Sequence, residues 1–569
     1  MALKELIANF DDNNLKPGLM DKDIKLNKSL KKLKKMASSY SFGRILGLIS
    51  YIENTSISES LGQKFKAPSE RLTNSEIAFL GALWLENYKN NNGFLWKKED
   101  DIQKLREIYR LMDLYHKSLK SKQYGKMIRE IAVYEGDGGY GWQFIELATL
   151  KYKCVKSELK QYYNVNLDVL PNFYEKLRNY FMRNKTGPNP MEFEQYAKDG
   201  KNAFNLFQLT KEEFESIFNT EEIVVAKMFI SKLGLYKGKV INDIFDFNEF
   251  NSHPIVELPN GNLLIINFNS LARAIYESPY YWIYELQKKG HHELLVRLGK
   301  GSENAAINIL QRIGFNPISD ILINKSKKET TTDIDILIVH DKDAVVFQIK
   351  SKKLTLEAKH GVEEKIDDDF DKAVIKAYKQ GVYSVESLIN KNQHKELQDI
   401  KGLENIDKYH IICLTSDYYP TITPTCLLYQ DPIASNEFPL VGMTLLDLSS
   451  ICSLLDTDTF INYLNFREEC TRMKIYGDNE MSYLGKYIEP IIDRDRRIYK
   501  YQRLPNDYGL LIDAILPPLH DRGVNQDVFN YLLKHLMYIE NDAKYINRNT
   551  SIGKNLNNIL DHLSKENIM

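Results

Sequence analysis

From Thr332 to Lys353 the chain reads TDIDILIVHDKDAVVFQIKSKK, with apolar residues recurring at every second position on either side of a polar HDKD. A period of two is the signature of strands, and a short polar break between two such runs predicts a hairpin. With His340 to Asp343 as a four-residue loop, Val339 faces Ala344, Ile338 faces Val345, Ile336 faces Phe347 and Ile334 faces Ile349. One face is then wholly apolar, as packing on a helix requires. The same register sets Asp335 opposite Gln348 and Asp333 opposite Lys350 on the other face. A slip of one residue would bury the acids and expose the apolar set, so the pattern fixes the register.

The flanking periodicity predicts a helix from Glu303 to Ile313, a strand from Ile318 to Ile323, the two hairpin strands, a helix from Phe370 to Leu388 and a strand from Tyr409 to Thr415. A last strand is expected at Cys426 to Tyr429. This order describes an α/β/α sandwich with a mixed sheet. Residues 1–245 read as mainly helical. Residues 246–289 form a connector in which Pro259-Asn260-Gly261 turns a hairpin and a helix follows. The α/β domain spans 290–432. The region 433–569 is helical again: Thr444 and Asp447 form a capping box, and further helices are expected at Thr459 to Arg472 and Asp527 to Asn541. The fold class is therefore multidomain α+β.

At 569 residues the chain has room for three or four domains of about 150 residues. A hydrophobic content of 43% and a charged content of 27% are those of a globular protein. Lysine plus arginine (76) balances aspartate plus glutamate (77), so any polyanion site must be a local patch. The helical stretch Asp21 to Met36 carries such a patch, with Leu26, Leu30 and Leu33 on one stripe and lysines around the rest. A surface helix with a solvated basic face is the preferred reading, with phosphate contact as the alternative. Five scattered cysteines without CxxC spacing argue against zinc ribbons and disulfide frameworks, and for a reducing cytoplasm. No membrane span and no signal peptide is expected. GDGGYG at 136–141 satisfies GxGxxG after a short strand-like run, Ile131 to Tyr134, but lacks the following strand of a dinucleotide site.

The polar face of the hairpin has chemical content. Two carboxylates and a carboxamide oxygen suit a hard divalent cation. A lysine beside that ion can orient a water and stabilise charge developing on a phosphate. Glu303, at the head of the preceding helix, falls near its sheet-facing stripe of Ala306, Ile307, Leu310 and Ile313, and an acid tending inward needs a cationic partner. Gln380 shares a helix face with Phe370, Ala373 and Ala377, so it points to the sheet with Lys376 at its edge. Lys352 and Lys353 extend the basic end of the second strand. The acidic run from Glu357 to Asp369 reads as a solvated loop, with a gate competing for these lysines as the alternative. An ordinary surface hairpin with incidental cross-strand ion pairing is the rival account of the whole constellation.

The order Glu303, Asp335, Gln348-Ile-Lys350 and Gln380 resembles the PD-(D/E)xK nuclease superfamily, closest to nuclease-related-domain and Mrr-like restriction enzymes of the QxK type. The resemblance covers roughly 290–430. It implies a central restriction-endonuclease-like domain and a metal-dependent DNA endonuclease with a restriction or antiviral defence role in bacteria. RNA is the alternative substrate, and a homo-oligomer or partner protein is compatible with the flanking helical regions. In it Asp335, Gln348 and Glu303 would hold Mg2+, with Mn2+ able to substitute and Asp333 as auxiliary. Lys350 would be the catalytic lysine; Lys352, Lys353, Lys376 and Gln380 would contact nucleic acid. Gln348 in place of the usual acid removes one negative charge from the metal site. That departure keeps a second function in view, a catalytically inactive nuclease-fold protein acting as a nucleic-acid-binding or assembly scaffold.

Overall fold

The computed structural model describes residues 19–60, 72–89, 100–119, 129, 138–185, 205–233, 241–323, 332–435 and 437–488, with 512 and 516. The expected helix at Asp527 to Asn541 and the strand-like run at Ile131 to Tyr134 lie outside them. The chain is mixed α+β and divides into two compact units. One comprises Met1–Arg297 with Lys359–Val362; the other comprises Leu298–Ala358 with Glu363–Met569. Among the described residues no helix is long and apolar enough to cross a membrane.

The first unit is mainly helical, as its sequence predicts. Its Leu19–Ala37 helix buries Leu30 and Leu33 beside Phe79, Leu80 and Trp84 of the Asn74–Asn87 helix. That second helix starts cleanly because Thr73 and Glu76 form a reciprocal capping box. In the basic helix Lys32 pairs with Glu107 and Lys34 donates to Asn242. A four-stranded mixed sheet runs in the order β1-β4-β3-β2, with β1 Gln208–Leu209, β2 Ile230–Lys232, β3 Ile255–Glu257 and β4 Leu263–Leu264. β3 and β4 make the expected Pro259-Asn260-Gly261 hairpin, with Gly261 at φ 82. This hairpin belongs to the first unit's own sheet, not to a separate connector. After the 138–141 turn come the Gly141–Tyr152 helix, a 3-10 turn and the Lys156–Tyr163 helix, not a strand.

The second unit is built on a five-stranded sheet in the order β5-β6-β7-β8-β9: β5 Ile318–Ile323, β6 Thr332–His340, β7 Asp343–Lys350, β8 Lys408–Thr415 and β9 Val441–Thr444. The first two pairings are antiparallel and the last two parallel. Near the turn the hairpin register is the one read from alternation, Ile336 on Phe347, Ile338 on Val345 and Val339 on Ala344, but the expected pairs Ile334–Ile349, Asp335–Gln348 and Asp333–Lys350 are not part of the ladder. The turn is tighter than expected. His340 pairs with Asp343, leaving Asp341 and Lys342 as a two-residue turn with Asp341 at φ 50.

Two expectations fail here. Cys426 to Tyr429 is not a strand but part of the Ile422–Ile433 helix, and the last strand is Val441–Thr444. Residues beyond 432 therefore complete the sheet. The Thr444–Asp447 capping box is present, opening the Leu445–Leu454 helix directly from β9. The Thr457–Arg472 helix is fastened to the sheet through buried His410 of β8. Its Nδ1 lies 2.6 Å from Glu468 and its Nε2 3.0 Å from Asp343. Burial opposes the charge on His410, but the bonds to Asp343 and Glu468 outweigh it and raise its pKa.

The Lys376–Ile389 helix covers the face of the sheet that carries Gln348, and Gly381 sets how closely it approaches. A Cβ at 381 would stand 2.5 Å from Ile411 Cγ2 and 3.7 Å from Gln348 Cγ. Gly381→Ala should therefore cost about 1–3 kcal/mol through overpacking, despite alanine's better helix propensity. Ile411→Ala in the same chain should recover part of that loss. Denaturant unfolding of the two single variants and the double variant checks this; strictly additive losses would refute the contact.

Candidate metal and phosphodiester site

The β6–β7 ladder stops at Ile336 and Phe347, three residues short of the end of β7. Beyond that point side chains take the place of the main-chain ladder. The Ile349 N–H donates to Asp335 Oδ2 at 2.6 Å. The Asp333 carbonyl accepts from Gln348 Nε2 at 2.9 Å and from Gln380 Nε2 at 3.0 Å. Buried main-chain groups need partners, and here the polar residues of the motif supply them.

The amide orientations follow from these partners. A carbonyl can only accept, so Gln348 must turn its NH2 toward Asp333 and its Oε1 away. Gln348 is completely buried, and its Oε1 has no hydrogen-bond partner among the described residues. Ser384, one turn beyond Gln380, lies 3.5 Å from Gln348 Nε2 and donates to the Gln380 carbonyl at 2.8 Å. Gln380 is used at both ends: Oε1 accepts from Lys350 Nζ at 3.0 Å, and Nε2 also donates to Asp333 Oδ1 at 2.6 Å. Lys350, Gln380 and Asp333 form one hydrogen-bonded chain.

Asp335 is 7% exposed. Burial pushes its pKa up to about 6, against the Ile349 N–H and the charge of Lys350, while Asp333 and Glu303 push it further upward. The constellation is thus no solvated outer face with incidental ion pairs: Asp335 and Gln348 lie inside the unit. Burying a carboxylate costs free energy unless a cation compensates it.

Several sequence-derived assignments change. Glu303 does not open a helix. It lies midway along the Glu293–Arg312 helix, where Ala305, Ala306, Ile309 and Leu310 form the buried stripe. Its carboxylate is held by Lys300 at 2.5 Å, so it reaches Asp335 by its field. Asp333 is committed to Gln380. Among the described residues the one trio of His, Cys, Asp or Glu with ligand atoms within 4.8 Å of one another is His340, Asp341 and Asp458, at the hairpin's far end. Glu303, Asp333 and Asp335 therefore do not converge as three carboxylates on a single point.

Gln380 acts inside the network, not as a free nucleic-acid contact. Lys376 is exposed, 3.5 Å from Asp371 and outside that network. Lys352 is 2.7 Å from buried Asp369, and Lys353 is 3.6 Å from buried Asp417. Asp369 also accepts from the Thr355 N–H at 2.6 Å, so this member of the acidic run is a fixed support and not a solvated gate. A π-helical turn, Asp371–Ile375, precedes the helix that carries Gln380 and Ser384; such turns recur at functional sites. Ser384 was readable from its i+4 spacing to Gln380. The Asp369 and Asp417 pairings join positions far apart in sequence and carried no local signal.

Asp335 gives a stability test without any ligand. Below pH about 4 its carboxyl is protonated in both folded and unfolded chains. Between about 4 and 6 the unfolded chain releases the proton and the folded chain keeps it, so stability falls as pH rises, by about 3 kcal/mol in all. Asp335→Asn should therefore melt above the unsubstituted chain at pH 8 with EDTA, and together with it near pH 4. Equal melting at both pH values would contradict the buried carboxyl. The chain matches no protein-family model, no curated protein and no solved structure.

Proposed function

We propose that the second unit hydrolyses phosphodiester bonds with a divalent cation, as a DNA endonuclease of the PD-(D/E)xK type. The observation that carries this reading is the pair at the open end of the hairpin: a buried Asp335 carboxyl with raised pKa and the buried Oε1 of Gln348, which has no hydrogen-bond partner among the described residues. A buried carboxylate and a carbonyl oxygen without a hydrogen-bond partner among the described residues are donor types a hard cation takes, so the residues fit Mg2+ or Mn2+. The strand order, with two antiparallel pairings followed by two parallel ones and the Gln380-bearing helix on the β6–β8 face, is also what a restriction-endonuclease-like domain would need.

In this reading Asp335 and Gln348 hold the cation, with Gln348 oriented by the Asp333 carbonyl. When bound, the ion polarises the phosphate and lowers the pKa of the attacking water. Lys350 holds that water and meets the charge that builds on the phosphate. Gln380 keeps the Lys350 ammonium in place by accepting a hydrogen bond from it at Oε1, and Asp333 keeps Gln380 from turning. Glu303 acts through its field on Asp335. The neutral Gln348 leaves the site one charge less negative than two ligating carboxylates would.

Purified full-length chain should nick or cut plasmid DNA with Mg2+ or Mn2+. Asp335→Ala and Lys350→Ala should each lower the rate by at least about 100-fold, and Gln380→Ala by about 10–100-fold, with DNA binding retained. If the unsubstituted chain cuts neither double-stranded DNA, single-stranded DNA nor RNA with either ion, yet binds one of them, the scaffold reading replaces this one.

A further inference from the structure

Sequence alone favours a solvated face for the lysine-rich Leu19–Ala37 helix, but in the fold a second basic helix, Asp101–Leu119, lies beside it. Leu105, Ile108 and Met112 of that helix share a core with Leu30 and Leu33. Lys32 pairs with Glu107 across the seam between the two helices. Exposed cations flank this seam on both sides: Lys28, Lys31 and Lys35 within about one turn of Lys32, Arg106 and Arg110 within one turn of Glu107. None of these five side chains has an acidic partner among the described residues. Of the three acids on the second helix, Asp101 is buried against Arg44 and Glu107 is shared by Lys32 and Lys104. Asp113 pairs with neither Arg106 nor Arg110. Lys28 and Lys32, Lys31 and Lys35, and Arg106 and Arg110 are each four residues apart, a spacing at which like charges repel. A chain with a net charge of −1 thus concentrates positive charge here at a cost to both helices.

The chemistry of the face selects its partner. Among the described residues neither helix exposes a large apolar side chain, which a membrane-bound helix would bury in lipid. Lysine is depleted from protein–protein interfaces. Point charges on long stems beside guanidinium forks suit closely spaced phosphates. From Lys28 to Lys35 the helix rises about 10 Å, enough to meet more than one phosphate of a strand. We propose that this two-helix face of the first unit grips the phosphate backbone of duplex DNA through Lys28, Lys31, Lys35, Arg106 and Arg110. Such contacts fix position and carry no base sequence. The inference does not depend on the metal-site reading, because a phosphate grip serves a cutting chain and a non-cutting one alike.

Fluorescence anisotropy of a labelled DNA duplex with the full-length chain in EDTA, over a series of KCl concentrations, tests this without cleavage. Lys31→Gln with Lys35→Gln, and separately Arg106→Gln with Arg110→Gln, should each weaken binding at least about 10-fold at low salt. Each pair should also lower the slope of log Kd against log salt by about 2. Lys31→Arg with Lys35→Arg should bind as the unsubstituted chain does. Lys156→Gln with Lys160→Gln makes the same change in net charge on the same unit, at lysines already paired with Asp168 and Glu221. It should leave Kd and slope unchanged. All these positions are exposed, so the substitutions are of the kind a fold tolerates; alanine replaces glutamine in any pair that melts lower. An unchanged Kd in either test pair, an equal loss in the Lys156 and Lys160 pair, or no DNA binding by the unsubstituted chain overturns the proposal. So does tight binding to phosphatidylserine vesicles that DNA does not displace. A chain that grips DNA through this face yet cuts nothing with Mg2+ or Mn2+ keeps this inference and loses the metal-site reading.

Discussion

The Ile349 N–H to Asp335 bond governs the second unit's site. A hairpin that continued its ladder to the end would leave Asp335 as an ordinary strand residue. Because β6 and β7 part after Ile336 and Phe347, main-chain groups that would have paired must find side chains. Asp335 takes the Ile349 N–H, and Gln348 and Gln380 take the Asp333 carbonyl. Each of these bonds fixes an orientation. Together they aim Gln348 Oε1 away from every donor among the described residues, and they hold Lys350 through Gln380.

The same bonds show why structural and catalytic accounts of these residues are not rivals. Ladder replacement explains one carboxylate oxygen of Asp335, the NH2 of Gln348 and the NH2 of Gln380. It does not explain why a carboxyl with a pKa of about 6 is kept in the interior, nor why a buried carbonyl oxygen has no donor among the described residues. A neutral asparagine at 335 would still meet the Ile349 N–H without a buried charge, and an apolar residue at 348 would leave the Asp333 carbonyl its bond from Gln380. Polar groups kept at such cost, on the open end of a sheet and beside a fixed lysine, are the groups the proposed phosphodiester hydrolysis would use.

Much of this hairpin was legible in the sequence, since alternation over Ile334–Val339 and Ala344–Ile349 admits only one register. It did not reveal that both faces are covered. Leu337 and Val346, beside the acids, are as buried as Ile336 and Phe347, so the polar residues sit within the unit. Glu303 was misplaced along its helix because Gly299 and Gly301 look like a break, whereas the Glu293–Arg312 helix runs through both. Cys426 to Tyr429 is a short apolar run whose period fits helix or strand equally, and tertiary packing chose helix. β9 is only four residues long, too short for periodicity to mark. Pairings of Lys352 with Asp369 and Lys353 with Asp417 depend on the folded chain and had no pattern to read.

The most direct test of the central claim is anomalous diffraction from crystals of the full chain soaked in Mn2+. The account predicts an ion held by Asp335 and by Gln348 Oε1, with Lys350 still bonded to Gln380 beside it. An ion bound elsewhere with none at Asp335, or a Gln348 amide turned so that Oε1 faces Asp333, would contradict it.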